Sequence, residues 1–342
     1  MSSLREVAEA AGVSRMTVSN VVNGRHHKVS EATIARVRQV IADLEYVPDA
    51  QARSLAANRS RMIGLVIHHP DEQRDLLENP HDAILTGAVE RAVSAAGYSF
   101  ITASSADVVA TARVVGSWRT DGLIVYGSVA DEINELERTQ ARPLVFLDNY
   151  SRDERVHVVG VDDHQGGVAA GEHLIQLGHR RLAFAGPLAS PGGVVTRRWE
   201  GLRSAVASAP HVEIVQALQA DHERRSAARV VEQLLSAPER PSAVVAASDT
   251  LAAELVGELL DRGIDVPGQV SVVGFDDTAV SRWMRPQLTT VAQDIPAKAS
   301  TAVDLLIRLI EGEVIEGAVC PERLPMTLVA RQSTAPPAPT CS

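Results

Sequence analysis

Nine short apolar runs, separated by segments of helical periodicity, limit the possible folds of this chain more than any other property of its sequence. Apolar strands of this length that alternate with helices are typical of parallel sheets with both faces covered. Nine strands fit two such sheets better than one. We therefore predict an α/β body of doubly wound parallel sheets, with helices over residues 83–96, 166–177 and 251–262. The runs are MIGLVI, YSFITAS, GLIVYG, PLVFLDN, VHVVGVD, RLAFAGP, VEIVQA, AVVAASD and VSVVGFDD.

The length of 342 residues also favours several domains, because single cores stop growing at about 250–300 residues. The chain is 45% hydrophobic and has no apolar run long enough to span a membrane. Its first residues lack the basic and apolar regions of a secretory signal, and Cys320 and Cys341 have no metal-binding spacing. These features predict a cytoplasmic protein with no metal, no cofactor and no membrane partner.

Charge is distributed unevenly along the chain. The net charge is −10, yet residues 1–61 contain nine Lys and Arg against six Asp and Glu. A basic segment on an acidic chain suggests that this segment binds nucleic acid. A solvated basic surface would give the same count, so the residue pattern must distinguish the two.

The first 48 residues have the pattern of three helices. Ser3 and Glu6 form a capping box, Gly12 ends the first helix in a tight turn, and Ser14 caps a second helix from residue 15 to about 22. Ser30 caps a longer third helix. Two short helices joined by a glycine turn, with a third to complete the core, predict a helix-turn-helix whose second helix enters the major groove of DNA.

The second helix places its valines on one side and presents Arg15, Met16 and Asn20 on another. In the major groove, Arg can bind guanine, Asn can bind adenine, and Met can contact a thymine methyl. Thr17, Ser19 and the basic loop after the helix would serve the phosphates. The alternative is a structural three-helix head with an exposed polar face.

An alanine-rich stretch follows Pro48 and contains a single large apolar side chain, Leu55. A helix of roughly two turns is unstable alone and needs a partner helix, DNA, or both. Leu55 is therefore either a small core plug or a wedge between base steps of the minor groove.

Residues 4–58 resemble the LacI–GalR family of bacterial transcription repressors. The resemblance lies in the elements V-A-E-x-A-G-V-S, T-V-S-x-V-V-N-G and Y-V-P-x-x-x-A-x-x-L with their spacing. It implies that residues 1–48 are a DNA-binding headpiece and residues 49–61 a hinge helix and linker, with Leu55 inserted at the operator centre. Arg15, Met16 and Asn20 would stand where family members vary their operator-reading residues. Together with the helix pattern, this predicts the DNA-binding residues Ser14, Arg15, Met16, Thr17, Ser19, Asn20, Asn23 and Leu55.

Polar side chains follow several of the apolar runs, where ligands bind in open parallel sheets. No Walker, Rossmann, nucleophile-elbow or zincin motif is present, and the Asp pairs lack a phosphate cradle or a base, so we expect no enzymatic activity. Carboxylates and an Arg suit the hydroxyls of a sugar and the heteroatoms of a purine equally well. The alternative role for Asp148, Asp163, Asp249, Asp276 and Asp277 is capping of the following helix.

The resemblance continues over the body, where its markers are H-L-I-x-L-G-H-R-R, R-x-x-G, V-G-F-D-D and L-T-T-V-x-Q-D. It implies a periplasmic-binding-protein fold over residues 62–334, with an effector in the cleft between two lobes. Lobe one would comprise about 62–160 and 294–322, and lobe two about 161–293 and 323–334. The tail, 335–342, is rich in proline, has no leucine heptads, and is expected to be disordered.

Carried over residue by residue, the resemblance also implies a set of effector contacts. The set departs from sugar-binding relatives, which often have Asn where Ser248 stands and apolar or aromatic groups where His81 and Asp82 stand. The alternatives are an inter-lobe salt bridge for Arg198 and ordinary solvated histidines for His81 and His222. The implied contacts are His81, Asp82, Asp148, Arg198, His222, Ser248, Asp276 and Gln293.

The family implies a homodimer that reads a palindromic double-stranded operator and responds to a small effector. Closure of the cleft around a sugar-like effector would melt the hinge helix and release the operator of carbohydrate-utilisation genes. A corepressor-dependent regulator with a purine-like ligand remains an alternative, as does a soluble sugar-binding protein.

Overall fold

The computed structural model describes residues 3–22, 24–46, 59–69, 75–127, 130–149, 156–188, 193–220, 226–314 and 322–338. Internal contacts divide the chain into two compact units, one of Met1–Met62 with Arg119–Asp121 and one of Ile63–Trp118 with Gly122–Ser342. The predicted hinge helix lies outside the described residues, as do Asn23, Leu55 and His222.

The first unit contains the three predicted helices, α1 (Leu4–Ala10), α2 (Arg15–Val22) and α3 (Glu31–Asp43), with a short 3₁₀ turn at His26–Lys28. The capping box at the start of α1 is formed, and the Ser30 hydroxyl accepts from the backbone of α3. Valines of α2 pack against α1 and α3, as the periodicity predicts. The buried core of this unit is Val7, Ala8, Ala11, Val18, Val21, Val37 and Tyr46.

The second unit contains two six-stranded sheets, in agreement with the predicted α/β body. The strands are β1 (Met62–His68), β2 (Ser99–Ser105), β3 (Gly122–Tyr126), β4 (Leu144–Leu147), β5 (Val158–Val161), β6 (Arg181–Gly186), β7 (Glu213–Gln219), β8 (Ala243–Ala246), β9 (Ser271–Asp276), β10 (Thr289–Gln293), β11 (Glu322–Leu324) and β12 (Met326–Val329). The first sheet has the order β11-β5-β4-β3-β1-β2, and the second has the order β12-β10-β9-β8-β6-β7.

Helices connect the strands and cover apolar clusters of both sheets. The sheet built on β1–β5 and its helices form lobe one, and the sheet built on β6–β10 and its helices form lobe two. The helices of this unit are α4 (Pro80–Ala95), α5 (Val108–Ser117), α6 (Ala130–Thr139), α7 (Asp163–Gln176), α8 (Val194–Ala207), α9 (Ser226–Ser236), α10 (Asp249–Asp261), α11 (Ala279–Trp283) and α12 (Ile295–Ile310), with a 3₁₀ turn at Leu76–Glu78 before α4.

The register brings the polar strand ends together. In lobe one, Ile67 of β1 pairs with Tyr126 of β3 in parallel register, and β4 ends one residue before Asp148. In lobe two, Asp276 of β9 pairs with Ala292 of β10, so Gln293 follows directly beside it. Because parallel strands end at one edge of their sheet, these polar residues lie where ligands bind in open α/β sheets.

Several sequence-based boundaries differ from the structure. The helices predicted from 83, 166 and 251 begin two to three residues earlier, because Asn79, Asp162 and Ser248 cap them. Strands β10, β11 and β12 were not among the nine runs, since β11 and β12 are only three and four residues long and β10 carries three polar residues in five. The first sheet includes β5 to Val161 and β11 to Leu324, so lobe one extends slightly beyond its predicted limits.

The C-terminal segment packs on lobe two as far as Ala335, which is further than its composition indicates. The Ala335 carbonyl oxygen lies 3.0 Å from His179 Nε2, and the backbone N–H of Ala335 donates to the Ser271 hydroxyl over 3.1 Å. Ala335 is therefore packed on lobe two, contrary to the disorder expected from residue 335 onward.

Candidate functional site

Arg198 of α8 lies at the centre of a buried polar network. Its Nε donates to Asp163 over 2.7 Å, one terminal nitrogen donates to the Ala247 carbonyl over 2.6 Å, and the other donates to Asp276 over 3.2 Å. The guanidinium also lies 4.5 Å above the ring of Phe275. Both of these carboxylate partners belong to lobe two, so these two ion pairs do not bridge the lobes. The planar guanidinium is instead fixed on four sides within one lobe.

The close approach of α7 and α8 sets the position of this arginine. A Cβ atom added to Gly201 would lie 2.0 Å from the His164 carbonyl oxygen, and one added to Gly167 would lie 2.1 Å from that of Arg198. Only glycine permits helix backbones to pack this closely. The R-x-x-G spacing therefore has a packing cause: Gly201 brings α8 onto α7, and this contact directs Arg198 toward Asp163.

Asp276 ends β9 with a backbone φ of 108°, a conformation that an L-residue rarely adopts. Its Oδ1 accepts from Arg198 and, over 2.7 Å, from the Gln293 amide. Burial favours the neutral acid, but Arg198, His81, Gln293 and Lys298 overcome it and lower the pKa of Asp276 below its ordinary value. Asp276 is therefore an ionised acceptor, held in a strained backbone position of the kind that clusters at functional sites.

The network continues from Gln293 to lobe one. The Gln293 carbonyl oxygen accepts from Lys298 Nζ over 2.8 Å, and the same ammonium lies 2.5 Å from Asp148 Oδ2. Asp148 follows β4 with a positive φ of 54°. Its other oxygen, Oδ1, is buried and has no hydrogen-bond partner in the part of the chain that the structure describes. One chain of side chains thus links Asp163 to Asp148, and it ends at an acceptor oxygen that has no partner among the described residues.

His81, Asp82 and Tyr126 form a second polar group in lobe one. The Tyr126 hydroxyl and Asp82 Oδ1 each lie 3.3 Å from His81 Nδ1. Burial raises the pKa of Tyr126 well above its usual value, with Asp82, Asp148 and Asp276 adding to the effect and Arg198 opposing it. His81 and Asp82 are 8% and 9% exposed, so the solvated histidine considered for His81 is wrong. The hydroxyl and the imidazole add polar groups near the carboxylates.

The capping role considered for the neighbouring aspartates is also wrong. Asp162 caps α7 and Ser248 caps α10, whereas Asp163 binds Arg198 and Asp249 accepts from Thr278 and Thr290. The N-cap of α11 is Thr278, and the carboxylate of the preceding residue, Asp277, pairs with Arg331 over 2.6 Å.

Burial, together with the charge of Asp276, raises the pKa of Asp249 to about 7. Asp249 is fully buried, so it is a structural carboxyl group and is not exposed to a ligand in the cleft.

The structure joins four of the predicted effector contacts, Asp148, Arg198, Asp276 and Gln293, in one network and places His81 and Asp82 beside Tyr126. The Ser248 hydroxyl accepts from Leu251 over 3.3 Å as a helix cap, which gives it a structural role. Lys298 and Tyr126 were not identified from the sequence, and Asp163 was considered without an arginine as its partner. For Lys298 a signal existed, because it lies at helical spacing on the buried apolar stripe of α12 with Ile295, Ala302 and Leu305.

The arrangement suits recognition of a donor-rich molecule. Carboxylate oxygens accept hydrogen bonds, and the network presents two carboxylates beside a tyrosine hydroxyl and an ammonium group. No cluster of three or more potential metal ligands occurs among the described residues. Within the same residues, no helix is long and apolar enough to cross a membrane.

Helix α2 of the first unit is exposed enough to contact DNA at some of its positions and not at others. Met16 is 70% exposed and Arg15 is also exposed, whereas Thr17, Ser19 and Asn20 are half-buried. The Ser14 hydroxyl accepts from the Thr17 amide over 3.1 Å and bonds the Thr17 hydroxyl over 2.9 Å, so both side chains stabilise the helix start. Asn20 is less accessible than the helical periodicity indicates.

Comparison with known proteins covers both units. A model of the lacI family of bacterial regulatory proteins matches residues 3–49, and a model of a periplasmic binding protein-like domain matches residues 172–334. The chain is 32% identical over 347 residues to the HTH-type transcriptional repressor PurR of Erwinia tasmaniensis, with 98% of this chain and 97% of that protein covered.

Solved structures agree with this comparison. The lac repressor dimer bound to operator and the anti-inducer ONPF has a TM-score of 0.85 at 28% identity, covering 98% of this chain and 99% of that chain. A complex of the transcriptional regulator CelR with cellobiose has a TM-score of 0.70 at 30% identity, covering 97% of this chain and all of that chain. The similarity therefore extends over nearly the whole of the sequence.

Proposed function

We propose a specific role for this chain, which belongs to the lacI family of bacterial regulatory proteins and is a transcriptional repressor, not an enzyme. It represses carbohydrate-utilisation genes as a homodimer. It leaves a palindromic operator when an uncharged sugar-like effector binds. We assign residues 1–48 to the DNA-binding headpiece, 49–61 to the hinge and linker, and 62–334 to effector binding and dimerisation. We place the protein in the bacterial cytoplasm, at the nucleoid.

The observation that carries the proposal is the network from Arg198 to Asp148. It joins the strand ends of both lobes through Gln293 and Lys298, so a molecule that competes for these groups changes the contacts between lobes. Two carboxylates and several neutral polar groups match the hydroxyls of a polyol. The similar chain that was solved with cellobiose supports a sugar as the class of effector.

Effector binding is tested by thermal shift against sugars and nucleobases. We expect a neutral sugar to raise the melting temperature of the wild type and to have little effect on Arg198→Ala. The matched control is Arg197→Ala, because Arg197 is the preceding residue and pairs with Glu200 on its own helix. Stabilisation by a nucleobase instead of a sugar would contradict the sugar assignment.

The direction of the response separates release from corepression. We expect the sugar that stabilises the protein to weaken its complex with a DNA fragment from near its own gene in a gel shift. A ligand that strengthens the complex would show a corepressor-dependent regulator, and the proposed release would be wrong.

For DNA recognition we propose that Arg15, Met16 and Asn20 contact bases and that Leu55 inserts at the operator centre. Arg15→Ala should relax the preference among operator sequences, since a bidentate contact to guanine is worth about 1–3 kcal/mol. Leu55→Ala should weaken binding to all operators with less change in preference. Unaltered binding by both variants in a salt-controlled gel shift would contradict the assignment.

A further inference from the structure

Lys298 is an unusual side chain to find in the core of an apolar helix. It is 0% exposed, and the buried positions around it on α12 are Ile295, Ala299 and Ala302. Burial of an unpaired ammonium is very costly, so the charge must be compensated by its partners. Those partners are the carboxylate of Asp148 and the carbonyl oxygen of Gln293.

The pairing divides the oxygens of Asp148 between two uses. Oδ2 is taken by the ammonium of Lys298, while Oδ1 is buried and has no partner among the described residues. A buried acceptor without a partner costs free energy until a donor reaches it. The side chain of Asp148 is 5% exposed, and among the described residues Oδ1 is an acceptor available to a donor from a molecule that enters the cleft.

Charge compensation at this point determines which donor is favoured. An ammonium group of a ligand at Asp148 Oδ1 would be repelled by Lys298, which already neutralises the carboxylate at close range. An anionic group has no proton to donate to Oδ1, and the two nearby cations, Lys298 and Arg198, are already paired with carboxylates. A hydroxyl group donates to Oδ1 and meets neither difficulty.

We propose that Lys298 sets the charge selectivity of the effector site, making Asp148 select an uncharged hydroxyl group over an amine or a phosphate. This inference rests on the proposed function, because it concerns the effector that the cleft would bind. Lys298 does not itself bind the effector in this proposal. It determines specificity by compensating the charge of Asp148.

The test uses matched ligands that differ in charge at one group. The probes are D-glucose, D-galactose and D-mannose, their 2-amino-2-deoxy forms and their 6-phosphates, with binding to the 342-residue chain measured by calorimetry below neutral pH. The wild type should bind at least one neutral sugar more tightly than its charged counterparts. Lys298→Met leaves the charge of Asp148 uncompensated, so the ratio of amino-sugar to neutral-sugar affinity should rise by at least about tenfold.

The reciprocal variant has the opposite expected effect. Asp148→Asn leaves Lys298 without its counter-ion, so the ratio of sugar-phosphate to neutral-sugar affinity should rise. The double variant Lys298→Met with Asp148→Asn removes both charges and should restore the preference for neutral sugars. This double variant also provides a folded reference, because replacing both members of a buried pair is tolerated better than replacing one. Lys298→Arg keeps the positive charge and should retain the preference for neutral sugars.

Each outcome decides a separate point. Opposite changes in charge preference for the two single variants support the proposal, whereas an equal loss of all probes would show that Lys298 has a structural role and overturn it. Unchanged ratios in both single variants would also overturn it while leaving the sugar effector in place. Failure of every probe to bind the wild type would overturn the sugar effector itself, and this inference with it.

Discussion

Gly201→Ala should destabilise the effector-binding body although alanine is the better helix former. The added Cβ would lie 2.0 Å from the His164 carbonyl oxygen and 2.9 Å from Gly167 Cα, so α8 would have to move by about 1.4 Å to reach ordinary contact. Such overpacking costs about 1–3 kcal/mol. The shift also stretches the 2.7 Å bond from Arg198 to Asp163, and breaking a buried ion pair costs about 3–5 kcal/mol.

The favourable helix propensity of alanine offsets about 1 kcal/mol of this cost. We therefore expect a net loss of about 3–7 kcal/mol and, at about 2–4 °C for each kcal/mol, a melting temperature lower by about 6–28 °C. The assay is differential scanning calorimetry of the 342-residue chain. The matched control is Gly257→Ala on α10, where an added Cβ meets nothing within 4 Å. This control should raise the melting temperature, and a Gly201→Ala protein as stable as it would refute the packing argument.

Three further predictions concern single groups. Asp249 has a folded-state pKa of about 7, above its ordinary 3.8, so the wild-type protein loses stability as the pH rises from about 4 to 7. In chemical unfolding, Asp249→Asn should therefore gain up to about 4 kcal/mol of stability relative to wild type over that range. A difference between the two proteins that does not depend on pH would contradict this. Burial lowers the pKa of His179, so the wild type should lose stability as pH falls below 6.5, and His179→Gln should melt with a weaker acid dependence. Removing the cap with Ser14→Ala should cost about 1 kcal/mol, seen as roughly fivefold faster hydrogen exchange in α2 and unchanged exchange in α10.

The elements of the fold could be predicted from the sequence because they depend on local signals. Apolar runs, helical periodicity and caps such as Ser30 act over a few residues, and they identify the three-helix head and the α/β body. The short strand β11 carries no such signal, because it forms through pairing with β5, more than 150 residues away. Helix starts were misplaced where caps lay beside the strand ends.

The candidate site was predicted in part, because its residue types were visible and their pairing was not. The strand ends indicated Asp148 and Asp276, but their positive φ values depend on the packed loops around them. Asp163 follows strand β5 at a position where a helix-capping residue is common. Only the approach of α8 gives it Arg198 as a partner. The ammonium of Lys298 is paired across 150 residues of sequence, a distance at which local patterns carry no information.

We propose that a neutral ligand in the network around Arg198 controls the affinity of the headpiece for DNA. The most direct measurement is fluorescence anisotropy of a labelled DNA fragment from upstream of the gene, titrated with the 342-residue protein at fixed salt, with and without a saturating neutral sugar that stabilises the protein. We expect a specific complex whose affinity falls in the presence of the sugar, and no such fall for Arg198→Ala. If a sugar binds the wild type and leaves its affinity for DNA unchanged, or raises it, this control by the ligand does not exist.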